Sequence, residues 1–407
     1  MRKELWIQGA GVISALGKNF GEIQSRFVSE QHAFQRREFN GSHEWVAPLA
    51  ADQEAVLDSI RQERNLYHEL DRSVLMAIAA ARGAASMAGW RDNSSVGVMI
   101  GSSRGATGTF EEQHARYLNP ATGRVAVSTS PITTLGNIST SVAQDLLCGG
   151  MELSHSITCS TALHALLNAT AWIEAGMGNR FLVGGSEAAL TGFTIAQMKA
   201  LRIYTPGGDQ EYPCRPLEQG ASSVNTFALG EGAAVFAIEA TDSERANRAL
   251  ARIEGIGWGV EAITSLTSMS LQGDSFVSSM CGAIERQSAK GEIDVIITHA
   301  PGTTMGDCAE SEAIASVFGA SPPLVLSPKW QIGHTFGASG AFGMLYAISL
   351  LMGGAITLPA YRKNQRLKIP QQVSRVMVNA AGFGGNACSV VLSRASVEEG
   401  GLIGGKK

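Results

Sequence analysis

Charge is scarce in this chain and neither sign dominates. Only 17% of the 407 residues are charged, with 32 Lys and Arg against 36 Asp and Glu, a formal charge of −4. Nothing there marks a nucleic-acid-binding surface, which needs a clear basic excess. No uncharged apolar run reaches 18 residues, so no membrane-spanning helix is expected. The apolar stretch AISLLMGGAITL (347–358) is short and broken by glycine, and reads as a buried helix end followed by a strand. The opening MRKELWIQGAG lacks the pattern of a secretory signal and reads as a first strand. Six cysteines (Cys148, Cys159, Cys214, Cys281, Cys308, Cys388) include no CxxC pair. That argues against a zinc ribbon or a disulfide framework and suits a reducing cytoplasm.

What is plentiful is apolar and small: 44% hydrophobic residues and 47 glycines. The chain is long for one core, so two lobes are expected. Three elements recur in order. VGVMIGSSRGATGTFEE (96–112) is matched in plan by DVIITHAPGTTMGDCAE (294–310), each an apolar strand, a small-residue turn and an acidic stretch. TCSTALHALLNATAWIEAGMG (158–178) is echoed by GHTFGASGAFGMLYAISLLMGG (333–354), and RFLVGGSEAA (180–189) by RVMVNAAGFGG (375–385). The pattern predicts two α/β halves, 1–240 and 251–394, with a tail over 395–407. Each half should hold a mainly parallel buried sheet covered by helices. Similar βα units without duplication would be the plainer account. The helices at 160–173 and 340–351 lack a broad polar face and belong at the centre of the layers. Residues 51–75 read as a polar then an apolar helix, an excursion on the first half, and 241–250 as a linker.

Cys159 sits where an extended segment turns into a helix. Free N–H groups and the helix dipole there favour a thiolate and could hold an oxyanion. A cysteine in an apolar run can equally be an inert core residue. His299 ends a strand and His334 opens a helix-entry turn, and a twofold relation would gather all three in one pit. Such a trio could bind zinc. It also suits decarboxylative condensation, which needs a nucleophile and two neutral hydrogen-bond donors for a thioester enolate.

These segments resemble the elongating β-ketoacyl-(acyl-carrier-protein) synthases of the thiolase superfamily over essentially the whole chain. The family's nucleophile turn is TCSTALHALLNA here, its HGTGT-xx-GD-xx-E is HAPGTTMGDCAE, its K-xxx-GH-xx-GAAG is KWQIGHTFGASG, and its FGFGG turn is AGFGG. The resemblance implies a duplicated thiolase-like fold, layered α-β-α-β-α. It implies that Cys159 takes the acyl chain and that His299 and His334 stabilise the malonyl-derived enolate as neutral Nε2 donors. Lys329 would tune the pair. The N–H groups of Cys159 and Phe383 would form the oxyanion hole, with Phe383 as a gate and Gly384 and Gly385 in its turn. Thr303, Asp307 and Glu310 would support the His299 turn. A thiolase would need a second active cysteine, and Cys388 reads as a strand residue. An initiating synthase would carry Asn beside one His.

The resemblance also implies an acyl carrier protein as partner, with substrates on its phosphopantetheine arm and no metal or cofactor held by the enzyme. Arg64, Lys199 and Arg202 are candidate docking residues. The family dimerises, and 180–186 is the candidate dimer strand. Homodimer and heterodimer with a chain-length-factor-like homologue both stay open. Three departures stand out: the altered 214–233 loop, Gly343 where a glutamate is usual, and 264–280 in place of a histidine-bearing segment. They resemble ketosynthases of type II polyene pathways, including aryl polyenes. Fatty-acid elongation and a non-catalytic scaffolding role are the alternatives.

Overall fold

The computed structural model describes residues 3–121, 123–135, 137–218, 224–240, 246–265 and 269–395. The middle of the altered loop, the start of the expected linker, part of 264–280 and nearly all of the tail therefore lie outside the described residues.

Ten strands form the main sheet: β1 (Leu5–Ser14), β2 (Gly97–Gly101), β3 (Glu152–Leu153), β4 (Arg180–Glu187), β5 (Gly232–Ala240), β6 (Ala251–Val260), β7 (Val295–Ile297), β8 (Leu324–Leu326), β9 (Arg375–Gly382) and β10 (Asn386–Ser393). Their spatial order is β8-β7-β9-β10-β6-β1-β5-β4-β2-β3. Outward from the centre, the first half runs first, fifth, fourth, second, third, and the second half repeats that order. The halves meet where Leu5–Ile7 pair antiparallel with 251–253. The expectation of mainly parallel sheets is corrected. In each half two pairings are parallel and two antiparallel, because the fifth strand returns between the first and the fourth.

Helices sandwich these strands: α1 (Arg72–Met87) and α2 (Asn137–Leu146) outside the first half, α3 (Thr161–Glu174) and α6 (Ser339–Leu351) between the halves, α4 (Asp274–Glu285) and α5 (Thr304–Phe318) outside the second. Strand alternation divides the side chains among the layers. On β4, Phe181 and Val183 face the central helices while Leu182 joins the outer core. On β9, Val376 and Val378 face the centre while Met377 faces outward. Every residue of α6 is buried, as a helix without a polar face requires.

The halves share a second device. A Cβ on Gly11 of β1 would lie 1.9 Å from the Ala80 carbonyl of α1, and one on Gly257 of β6 would lie 2.1 Å from the Ser279 carbonyl of α4. Only glycine lets each helix lie this close to its strand.

Other expectations are corrected. Within 51–75 a helix covers Ala51–Glu63, but the apolar part begins α1, a main outer layer and no excursion. Residues 354–359 form no strand after α6. The candidate dimer strand 180–186 is interior, paired on both sides by β2 and β5, so it has no free edge to offer a partner. The edge on that side is β3. No described helix is long and apolar enough to cross a membrane.

Candidate active site

Cys159 is reached through a strained turn. Thr158 has φ 47°, a region that an L residue other than Asn or Asp rarely occupies. Thr161 holds the turn, its hydroxyl donating to the Thr158 carbonyl (2.6 Å) and accepting from the Ile157 N–H (2.9 Å). The thiol then lies just before α3 and is 7% exposed. Behind it, Gly382 packs so closely that a Cβ would fall 2.9 Å from the Cys159 nitrogen. Asn386 joins this turn to the Phe383 loop. Its Oδ1 accepts from the Ser160 hydroxyl (2.6 Å) and its Nδ2 donates to the Phe383 carbonyl (2.9 Å).

Burial pushes the Cys159 thiol up to about 12, with the charge of Glu187 adding and that of Lys329 opposing. The sequence expectation of a thiolate is thereby corrected for the resting protein. Desolvation of the sulfur outweighs the cation, and the helix N-terminus is left to favour the charge that develops during reaction.

His299 and His334 are almost fully buried, with ring centroids 5.3 Å apart and planes at 80°. The His334 Nδ1 accepts from the Phe336 N–H at 2.9 Å. An accepting Nδ1 carries no proton, so the neutral ring bears its proton on Nε2 and can donate from there. Burial first, then the Lys329 charge, holds both imidazoles well below 6.5. Both rings are therefore expected to stay neutral between pH 8 and 6, and NMR of protein labelled at histidine Cε1 would test this. Two resonances with midpoints near 6.5 would contradict it. Below pH 6.5 the unfolded chain binds protons that these rings refuse, so stability falls with pH by up to about 1.4 kcal/mol per unit for each ring.

The His299 backbone is held from both sides. Glu310, fully buried, accepts from the N–H groups of His299 (2.9 Å) and Ala300 (2.7 Å) and from Asn379 Nδ2 (3.0 Å). The Lys329 ammonium donates to the His299 carbonyl. Among the described residues Lys329 has no carboxylate within ion-pair distance. Burial lowers its pKa, and Glu310 opposes that through its field. Gly343 does not leave room for the usual glutamate, since a Cβ there would be 2.8 Å from Val378 Cγ1. Asp307 accepts from the N–H groups of Gly302 (3.0 Å), Thr303 (3.2 Å) and Leu217 (2.8 Å), tying the altered loop to the His299 turn. Thr303 caps α5, its hydroxyl accepting from the Gly306 N–H.

Cys159, His299 and His334 all line one cavity of about 310 Å³, with Met198, Phe227, Phe336 and Phe383 among its other walls. Of the docking candidates only Arg202 lines it. Lys199 is spent on an ion pair with the buried Glu44. Arg64 stacks on Tyr67 beyond the helix Ala51–Glu63 and does not reach the cavity. No group of three His, Cys, Asp or Glu among the described residues is arranged to hold a metal ion.

Comparison with known proteins gives the family. Residues 13–243 match the family model for the N-terminal domain of β-ketoacyl synthases, and residues 250–359 match that for the C-terminal domain. The chain belongs to the β-ketoacyl synthase family. A 3-oxoacyl-[acyl-carrier-protein] synthase 2 of Staphylococcus aureus (strain N315) is 24% identical over 96% of this synthase and 98% of its own length. Among solved structures, the ishigamide ketosynthase/chain length factor superposes with TM-score 0.82 at 22% identity, covering 97% of this chain and 99% of its own. A ketosynthase in complex with its chain length factor from Xenorhabdus doucetiae gives 0.77 at 20%, covering 96% and 98%. At these identities the structures establish the fold.

The synthase also has functional-looking residues that the sequence did not single out. Glu187, fully buried at the end of β4, accepts from the Ser102 hydroxyl (2.8 Å) and from the N–H groups of Ser103 (2.8 Å), Arg104 (3.1 Å) and Gly337 (2.9 Å). Burial raises its pKa to about 7 against those four hydrogen bonds. An acidic residue closing an apolar strand was the available signal. Asn386 had a weaker one, a polar side chain directly after the glycine turn.

Proposed function

We propose that this β-ketoacyl synthase elongates a carrier-bound polyene or related polyketide chain by decarboxylative condensation. The observation that carries the reading is the one cavity onto which Cys159 and two buried histidines open. Cys159 attacks the incoming thioester, forming the C–S bond of an acyl-enzyme as the carrier thiol leaves with a proton. His299 and His334 then donate hydrogen bonds to the thioester oxygen of a malonyl-carrier extender. Carbon dioxide departs, the electron pair passes to the enolate, and the enolate carbon attacks the acyl carbonyl. The carbon–carbon bond forms as the C–S bond to Cys159 breaks, and the departing sulfur takes a proton from solvent to return to the thiol. The N–H groups of Cys159 and Phe383 hold the oxyanion of each tetrahedral species.

The proposed carrier is an acyl carrier protein, with Arg202 at the rim as its basic contact, and no metal or cofactor is required of the enzyme. The aromatic and methionine walls suit a flat conjugated chain. Ketosynthase–chain-length-factor pairs among the similar folds support a heterodimer. Exposed Leu147 and Met151 beside the β3 edge supply apolar surface for a partner. Elongation of saturated fatty acids is the second reading, favoured by the near full-length similarity to the staphylococcal enzyme.

Intact mass after incubation with matched saturated and polyenoyl carrier thioesters tests both. The expected result is faster loading from the polyenoyl donor, absent in Cys159→Ala. Faster loading from the saturated donor would select the second reading. No adduct from either, with or without a co-expressed homologue, would overturn catalysis.

A further inference from the structure

The two halves can be superposed residue by residue around the site. Glu187 ends β4 and pairs with Gly232, the first residue of β5, which in turn pairs with Ser14, the last of β1. Gly382 ends β9 and pairs with Asn386, the first residue of β10, which pairs with Val260, the last of β6. Glu187 and Gly382 are thus equivalent. On the helix side, Thr158 (φ 47°) stands three residues before the start of α3, and Phe336 (φ 40°) three before the start of α6. Cys159 and Gly337, each following the strained residue, are equivalent too.

The two places have opposite contents. In the first, Gly382 contributes no side chain, and the place its Cβ would take is held by the neutral Thr158 hydroxyl, 1.8 Å from that position. In the second, the residue after the strained position has no side chain, and the Glu187 carboxylate comes from the strand to take the Gly337 N–H. A Cβ on Gly337 would sit 3.0 Å from Glu187 Oε2. The second half therefore keeps, at Gly337, an N–H equivalent to that of Cys159, and an anion from the first half closes it.

We propose that Glu187 is a positioning residue for His334, its carboxylate acting as the built-in occupant of the anion site that the pseudo-twofold sets opposite Cys159. The path is short. Glu187 fixes the Phe336–Gly337 peptide, and the Phe336 N–H fixes the His334 ring through Nδ1. The same carboxylate holds the 102–104 turn, so it ties the two halves together at the site. Because each oxygen accepts twice, a glutamine would present an NH₂ group to two donors. Charge and not volume is what the place requires.

This inference rests on the proposed reaction, and the test separates the two. At pH 8, acyl loading of Cys159 and decarboxylation of a malonyl-carrier thioester are measured for wild type, Glu187→Gln and Glu187→Ala. Both variants are expected to load Cys159 at no less than about a third of the wild-type rate, since loss of the Glu187 charge eases ionisation of the thiol, and to decarboxylate roughly 100-fold more slowly, the scale of one misplaced oxyanion donor. Formate at tens of millimolar is expected to restore Glu187→Ala by roughly 10-fold or more, saturably, and formamide is not. Glu187→Gln decarboxylating within twofold of wild type would overturn the assignment. So would a folded Glu187→Ala that formate leaves unchanged. If Glu187→Ala does not fold, the glutamine variant alone decides. Failure of the wild type itself to decarboxylate would overturn the reaction underneath.

Discussion

Replacing His334 with alanine is expected to slow decarboxylation of a malonyl-carrier thioester by about 100- to 1000-fold while leaving acyl transfer to Cys159 within about threefold. The split follows from where the imidazole points its proton. With Nδ1 committed to the Phe336 N–H, Nε2 is the donor, and both the lowered pKa and the burial keep the ring neutral. A neutral donor in a dry site can stabilise an enolate oxygen with little reorganisation, and losing one such donor costs about 2.7–4 kcal/mol of transition-state stabilisation. In the proposed reaction, loading of Cys159 draws on the N–H groups of the nucleophile turn instead. His299→Ala should show the same split, and the double variant should lose far less than the product of the two, since in the proposed reaction both donors serve one oxygen. Alanine at 334 also leaves the buried Phe336 N–H unpartnered, at about 1–3 kcal/mol of stability. Thermal melts run beside the kinetics would show whether the fold survives. A His334→Ala protein that loses loading and decarboxylation equally would mean that His334 acts in thiol activation, and the assignment of roles would fail.

The residues that could be read from the sequence are those whose meaning is local. Cys159, His299 and His334 each stand at the junction of an apolar run with a small-residue turn, and the repeat of those junctions announced the two halves. Lys329 sits five residues before His334 in the same segment. Glu187 is different. Its partners at 102–104 and 337 are 83 to 150 residues away, so its role exists only once β4, β2 and α6 have been brought together. The misplaced dimer strand failed for a related reason. An apolar run such as Arg180–Glu187 says that a strand is buried, but neighbours on both sides are a property of topology, here of a fifth strand returning beside it. Lys199 and Arg64 show that charge on a sequence says nothing of its partner, for each has one within the chain, the Glu44 carboxylate and the Tyr67 ring. The thiolate expectation weighed the helix terminus and could not weigh burial, which in the folded protein is the larger influence on Cys159.

Gly382→Ala is the smallest substitution expected to stop the enzyme at its first step. The added Cβ would fall 1.8 Å from Thr158 Oγ1 and 2.9 Å from the Cys159 nitrogen, distances at which atoms must move. Neither side can move freely. Gly382 is the last residue of β9, paired with Asn386, and the 158–159 turn is held by Thr161 and Asn386. The backbone of the nucleophile turn therefore shifts by something near 1 Å. A shift of that size in a reacting group costs about 100-fold in rate. Acyl loading, followed by intact mass, is expected to fall at least that far, with stability lower by about 1–3 kcal/mol from overpacking. Adding Thr158→Ala removes the closest clash and leaves those at the Cys159 nitrogen and the residue 158 Cβ, each at 2.9 Å. The double variant should recover part of the melting temperature and little of the loading rate. Loading by Gly382→Ala within threefold of wild type would mean that the turn tolerates displacement, and that the Cys159 N–H is not the group holding the tetrahedral oxyanion.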